Sequence, residues 1–226
     1  MSVEPRLNGV PFVQSPNFSS RRGFTPSAIV LHYTAGGSAA GSQSWLCNPD
    51  AKASAHFLIS RSGDTRQLVD LTLAAWHCGV AELEHRGEML GNPNRFTIGI
   101  ELANHGYLYR LNGSFFYEIG RGLKRYRGPE PKFARLEYDN GREFEGYFEP
   151  YQPEQIEALQ ELLLKLKSAG YSEAVANLVG HEEIGMPLGR KSDPGPLFPW
   201  DRFWRKIDQR TRAHTIPPPS EDVSRS

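Results

Sequence analysis

Short apolar runs alternate with polar stretches rich in glycine and proline along this chain. SAIVLHY (27–33) is apolar almost to its end, the pattern of a strand buried on both faces. Its exit carries His32 and Tyr33. NLVGH (177–181) repeats the pattern, and again a histidine stands at the exit. FTIGIELAN (96–104) alternates instead: Phe96, Ile98, Ile100 and Leu102 share one face, and Thr97, Gly99, Glu101 and Ala103 the other. Glu101 therefore projects from a face of small residues. AHFLIS (55–60) and RQLVD (66–70) flank RSGD, which predicts a hairpin with Gly63 in its turn.

Helical spacing appears in YQPEQIEALQELLLKLKSAG, where Ile156, Leu159, Leu162, Leu163 and Leu166 form one stripe. Pro153 suits its first turn and Gly170 its stop. GSAAGSQSWLCNP (37–49) is compatible with a helix up to Pro49. FPWDRFWRKIDQR (198–210) predicts a terminal helix with Trp200, Phe203, Trp204 and Ile207 facing inward. Strands mixed with helices predict an α/β fold, a central mixed β-sheet flanked by helices. Residues 105–150 are rich in Gly, Tyr and Arg with weak periodicity, and predict an inserted hairpin or lid. Residues 1–24, with Phe12, Phe18 and Phe24, read as an arm, 25–210 as one domain, and 211–226 as a disordered tail.

At 226 residues, a chain buries roughly 70% of its unfolded surface, ample for a core without staples. Lys plus Arg and Asp plus Glu each number 26, so the net charge is zero. That balance argues against a nucleic-acid or anionic-membrane partner. No apolar run reaches the length of a membrane span. The opening residues lack the basic-then-apolar pattern of an export signal, which predicts a chain cytoplasmic as synthesised. The two cysteines, Cys47 and Cys78, are expected as reduced thiols.

Three residues stand out as metal ligands. His32 and His181 end strands, and Asp193 lies in the loop GRKSDPG. Two imidazoles and a carboxylate with a fourth position open form a catalytic zinc set. Seven histidines offer many pairs, so spacing alone leaves the metal open. HEEIG (181–185) is not the HExxH motif, because position 185 is Gly.

Five segments sharpen this reading: IVLHYTAG (29–36), SAHFLISRSGDTRQLV (54–69), AWHCG (75–79), FTIGIEL (96–102) and LVGHEEIGMPLGRKSDPGPLF (178–198). In this order they resemble the zinc-dependent N-acetylmuramoyl-L-alanine amidases of the type-2 family. That family shares its fold with peptidoglycan recognition proteins and phage lysozyme-type amidases. The resemblance implies Zn²⁺ on His32, His181 and Asp193, with Glu101 as general base and proton shuttle and Lys191 stabilising the oxyanion. It implies hydrolysis of the amide between N-acetylmuramic acid and L-alanine, on peptidoglycan or muropeptides. Recognition-only members, which bind muropeptide without cleaving it, are the alternative; they typically lose a zinc ligand, and this chain keeps all three. Recycling of anhydro-muropeptides, phage lysis and export of a toxin are the competing settings.

The resemblance also puts Trp76 and His77 at the substrate cleft. Arg190 and Arg61 are candidate partners for stem-peptide carboxylates, because a guanidinium recognises a carboxylate in a forked geometry. His56 is expected as a satisfied core residue. His85, His105 and His214 are given no role. Cys78 and His77 are expected to point apart, as neighbours on an extended segment do.

Overall fold

The computed structural model describes residues 4–204. In chain order its strands are β1 (Phe18–Ser20), β2 (Ala28–Tyr33), β3 (Phe57–Ile59), β4 (Thr65–Gln67), β5 (Leu73–Ala75), β6 (Glu82–His85), β7 (Glu88–Gly91) and β8 (Thr97–Leu102). They continue with β9 (Tyr107–Leu111), β10 (Ser114–Ile119), β11 (Gly122–Arg125), β12 (Lys132–Glu137), β13 (Glu143–Phe148) and β14 (Leu178–Gly180). The helices are α1 (Ala39–Leu46), α2 (Pro153–Ser168), α3 (Ser172–Ala176) and α4 (His181–Ile184).

The central sheet runs β14-β2-β8-β3-β4. Its first four strands are parallel, and β4 folds back against β3 through the turn at Gly63. The sheet is therefore mixed, as the pattern predicts. Alternation along β2 and β8 sends Ile29, Leu31, Ile98, Ile100 and Leu102 to one face, into the core built with Leu159, Leu162, Leu163 and Leu166 of α2. Each such leucine contributes about 2 kcal/mol by leaving water. Gln155, buried on the same helix, donates to the carbonyls of Ile59 and Ala103, both at 3.1 Å, and fixes α2 over the strand ends. Gly170, at φ +97°, stops the helix in the left-handed region that favours glycine. The other face is covered near β3 by α1, through Leu46 on Leu58, and near β2 by α4, through Ile184 on Val30.

The N-terminal residues lie along this body. Val13 N–H donates to Gln67 O at 2.9 Å, and β1 pairs with β5. At the other end, a helical turn at 200–204 buries Phe203 completely and packs Trp200 and Trp204 on the core. Ile207 and the 211–226 tail lie outside the described residues.

The segment near 105–150, expected as an inserted hairpin or lid, is more elaborate than one hairpin. It forms a second antiparallel sheet of five strands, ordered β11-β10-β9-β13-β12. Its base is closed by Glu149 N–H on Gly106 O at 3.0 Å. Leu108, Tyr117 and Tyr126 form a small core of its own.

Candidate metal centre

Parallel register assembles the site. His32 on β2 pairs directly with Glu101 on β8. On the other side Leu31 pairs with Gly180, so His181, the next residue of its chain, comes level with His32. All three lie at the carboxyl ends of parallel strands, where open α/β sheets bind ligands. Asp193 arrives from a loop held at four consecutive positions. Tyr138 Oη donates to Lys191 O at 2.9 Å, and Tyr33 Oη meets Ser192 Oγ at 2.6 Å. Glu182 N–H donates to Asp193 O at 2.9 Å, and Tyr151 Oη donates to Pro194 O at 2.7 Å.

His32 Nδ1, His181 Nδ1 and Asp193 Oδ2 form a triangle with sides of 3.0, 2.9 and 2.9 Å. All three residues are buried. Zinc with tetrahedral ligands at about 2.0 Å sets them about 3.3 Å apart, so the triangle is close to that size. The outer nitrogens fix the tautomers. His181 Nε2 lies 2.9 Å from Cys78 O, a carbonyl that can only accept. His181 Nδ1 therefore presents a lone pair to the triangle. His32 is oriented by a longer chain. Thr97 Oγ1 donates to Pro93 O at 2.8 Å, so it accepts from His77 Nε2 at 3.2 Å. His77 Nδ1 then accepts from His32 Nε2 at 3.0 Å, and His32 Nδ1 is a second inward lone pair. Two lone pairs and a carboxylate converge with no proton to share, a donor set that fits a metal cation.

Electrostatics agree. Burial lowers the His32 pKa to about 4, against the opposing pull of Asp193. Burial works to raise Asp193, but His181 and His32 beside it prevail and hold it below the usual carboxylate range. The set is thus a neutral imidazole beside an anionic carboxylate. Glu101 is pushed up to about 8, first by desolvation and then by the Asp193 charge, with Lys191 opposing. Its Oε2 is buried and has no hydrogen-bond partner among the described residues.

A cavity of about 390 Å³ above the triangle is lined by His32, His181, Asp193, Glu101 and Lys191, and also by Trp76, His77 and Arg190. Arg61 does not line it. Its guanidinium grips Glu149, Nε on Oε1 at 2.7 Å and Nη2 on Oε2 at 2.8 Å. Arg190 lines the cavity but donates to the carbonyls of Met186 and Val80, both at 2.6 Å. His77 lies behind His32, in the space left by Gly99, where a Cβ would fall 2.5 Å from its ring. His56 is satisfied in the core, accepting from Gly99 N–H at 2.9 Å and donating to Leu73 O at 3.0 Å.

One expectation is corrected. Cys78 and His77 do not point apart: Sγ lies 3.3 Å from Nδ1. The segment is not extended there, since the amides of both residues converge on Asn94 Oδ1 at 3.0 Å each. Burial raises the Cys78 thiol to about 12, so it is no thiolate. Both cysteines are unpaired. His105, given no role from the sequence, meets Glu149 Oε2 through its Nδ1 at 2.6 Å. Thr97 went unmarked in the sequence, although it shares a face with Gly99 and Glu101. The carbonyls of Pro93 and Cys78 leave no trace in side-chain chemistry.

Comparison with known proteins identifies the family. A family model described as N-acetylmuramoyl-L-alanine amidase matches residues 22–196. N-acetylmuramoyl-L-alanine amidase AmiD of Escherichia coli K12 is 30% identical over 182 residues, covering 77% of this chain and 51% of the relative. The chain spans about half the length of the relatives it matches by sequence. A crystal structure of an AmpD selenomethionine derivative superposes with a TM-score of 0.60 at 26% identity, over 92% of this chain and 99% of that one. AmiD from E. coli, solved with anhydro-N-acetylmuramic acid-L-Ala-D-γ-Glu-L-Lys, gives 0.55 at 25% identity, over 84% and 65%. Among the described residues no helix is long and apolar enough to cross a membrane. A sheet whose register aligns His32, Glu101 and His181, and a family match over most of the chain, lead to one assignment: it belongs to the N-acetylmuramoyl-L-alanine amidase family.

Proposed function

We propose that this chain is a zinc-dependent amidase that hydrolyses the bond between N-acetylmuramic acid and L-alanine in muropeptides or peptidoglycan. The observation that carries the reading is the His32–His181–Asp193 triangle in one cavity with Glu101 and Lys191. His32 Nδ1, His181 Nδ1 and Asp193 Oδ2 would hold the ion. Bound there, zinc supplies Lewis acidity to the scissile carbonyl and lowers the pKa of water toward about 7. Glu101 takes the proton of the attacking water and returns it to the departing amine of L-alanine. The return matters because an amide nitrogen leaves only once it is protonated. The Lys191 ammonium faces the negative charge that grows on the carbonyl oxygen, a contribution of about 3 kcal/mol or more. Trp76 and Arg190 contact the substrate from the cavity lining. His77 acts through His32.

The muropeptide scale of the substrate is supported by the ligand solved with AmiD. The test is mass spectrometry of the protein incubated with muramyl tripeptide, its 1,6-anhydro form and intact sacculi, with and without chelator. Release of peptide beginning with L-alanine, lost on chelation and regained with zinc, is the expected result. Bound zinc with no release from any substrate overturns the reading.

A further inference from the structure

The metal cavity does not end at Glu101. Thr34, Ala35 and Glu101 also line a second cavity of about 760 Å³, with Trp45 of α1 and Ile119 of β10 among its walls. Gly37, Tyr117 and Lys124 pass from that cavity into a third of about 510 Å³. Shared lining residues set the three in series, and the series, taken as one cleft, runs from the metal ligands to the β10–β11 hairpin.

Its chemistry changes along the way. The far end is lined by Lys124, Arg125 and Arg127. Glu149 is the one carboxylate lining it, and Arg61 and His105 already answer that charge. Among the described residues none of the three hairpin cations has an ion-pair partner. Residues 119–129 carry four cations between Glu118 and Glu130, and of these two acids only Glu118 lines the cleft, in its middle cavity. The hairpin is also held in place: the Tyr117 ring packs on His105 with centroids 4.1 Å apart, and His105 is bonded to buried Glu149.

We infer that the far end of this cleft is a carboxylate subsite, where Lys124, Arg125 and Arg127 receive the free carboxylates of the substrate's peptide. The substrate rests on the amidase reading. A tripeptide such as L-Ala-D-γ-Glu-L-Lys bears one carboxylate on its γ-linked glutamate and another at its end. Cations on and beside this anchored hairpin recognise these at the rim, where they act on capture of substrate rather than on the chemical step.

The experiment compares the wild type with Lys124→Glu/Arg127→Glu on two substrates, anhydro-muramyl-L-Ala-D-γ-Glu-L-Lys and the same molecule with its peptide carboxylates amidated. Calorimetry with the free tripeptide measures binding without catalysis. The double variant is expected to raise KM for the acidic substrate about tenfold and leave kcat within about twofold. It should lose tripeptide binding and treat the amidated substrate as the wild type does. KM values unchanged by the variant overturn the inference, as does a wild type that does not distinguish the two substrates. A wild type that binds the tripeptide through these cations but cleaves neither substrate overturns the amidase reading and leaves the subsite standing.

Discussion

The ring of His77 occupies the volume that a side chain at Gly99 would need: a Cβ there would lie 2.5 Å from His77 Cγ. Gly99 and Glu101 share a face of β8, so the residue that makes room for the hydrogen-bond chain is two positions from the proposed base. Gly99→Ala is expected to displace His77 and free His32 to rotate. His77→Phe keeps the bulk but removes the acceptor for His32 Nε2. Each should weaken zinc binding by about 10- to 100-fold. Competition with a chromophoric chelator measures this, and unchanged affinity in both variants removes His77 from the support of the metal.

Glu101→Gln preserves shape and removes the base. The amidase rate is expected to fall by about 10² to 10⁴ with zinc content unaltered. Asp193→Ala should instead lose the metal itself. Metal analysis beside turnover separates the two, and a Glu101→Gln variant of full activity refutes the shuttle.

Glu101 should titrate near 8 in the metal-free protein, because burial and Asp193 both oppose its charge. Zinc answers Asp193 and brings a cation into the same cavity, so loading should move the midpoint down. Carbon-13 NMR of the labelled carboxylate reads both values. A midpoint that stays put or rises on zinc addition contradicts the assignment.

Glu149 sets a limit on acid stability. Burial alone would raise its pKa, but hydrogen bonds from Arg61 and His105 bring it down to about 2. A folded value below the unfolded one stabilises the protein above the unfolded pKa, and the gain is lost as pH falls through about 2. The difference corresponds to about 3 kcal/mol, trimmed by the partial exposure of Arg61. Glu149→Gln should lower Tm at pH 7 by roughly 5–10 °C and flatten the fall in stability between pH 4.5 and 2. Equal Tm values at pH 7 speak against the network.

Much of the site could be read from the chain because its strands are buried on both faces. Apolar runs mark β2 and β14, and alternation marks β8. Once these strands pair in parallel, His32, Glu101 and His181 line up without further information. The leucine stripe of α2 was legible for the same reason. The second sheet was not. Its strands mix charged residues and aromatics on one face, as in Phe133 with Arg135 on β12 and Glu145 with Tyr147 on β13, so no clean period emerges. Arg61 showed that a forked donor does not reveal its acceptor. Glu149 lies 88 positions away and meets it only through the fold of the insertion. The contact of Cys78 with His77 depends on Asn94, and nothing in AWHCG points there.

The 105–150 segment and the loop that carries Lys191 are joined directly. The Tyr138 hydroxyl, from the 105–150 segment, holds the carbonyl of Lys191. At the insertion's base, Asn104 Nδ2 donates to Glu149 O at 3.3 Å. Trimming residues 105–150 to obtain a minimal enzyme would therefore loosen the backbone that aims Lys191. The segment is a buttress of the candidate site, and a shortened chain would need a new strut in its place.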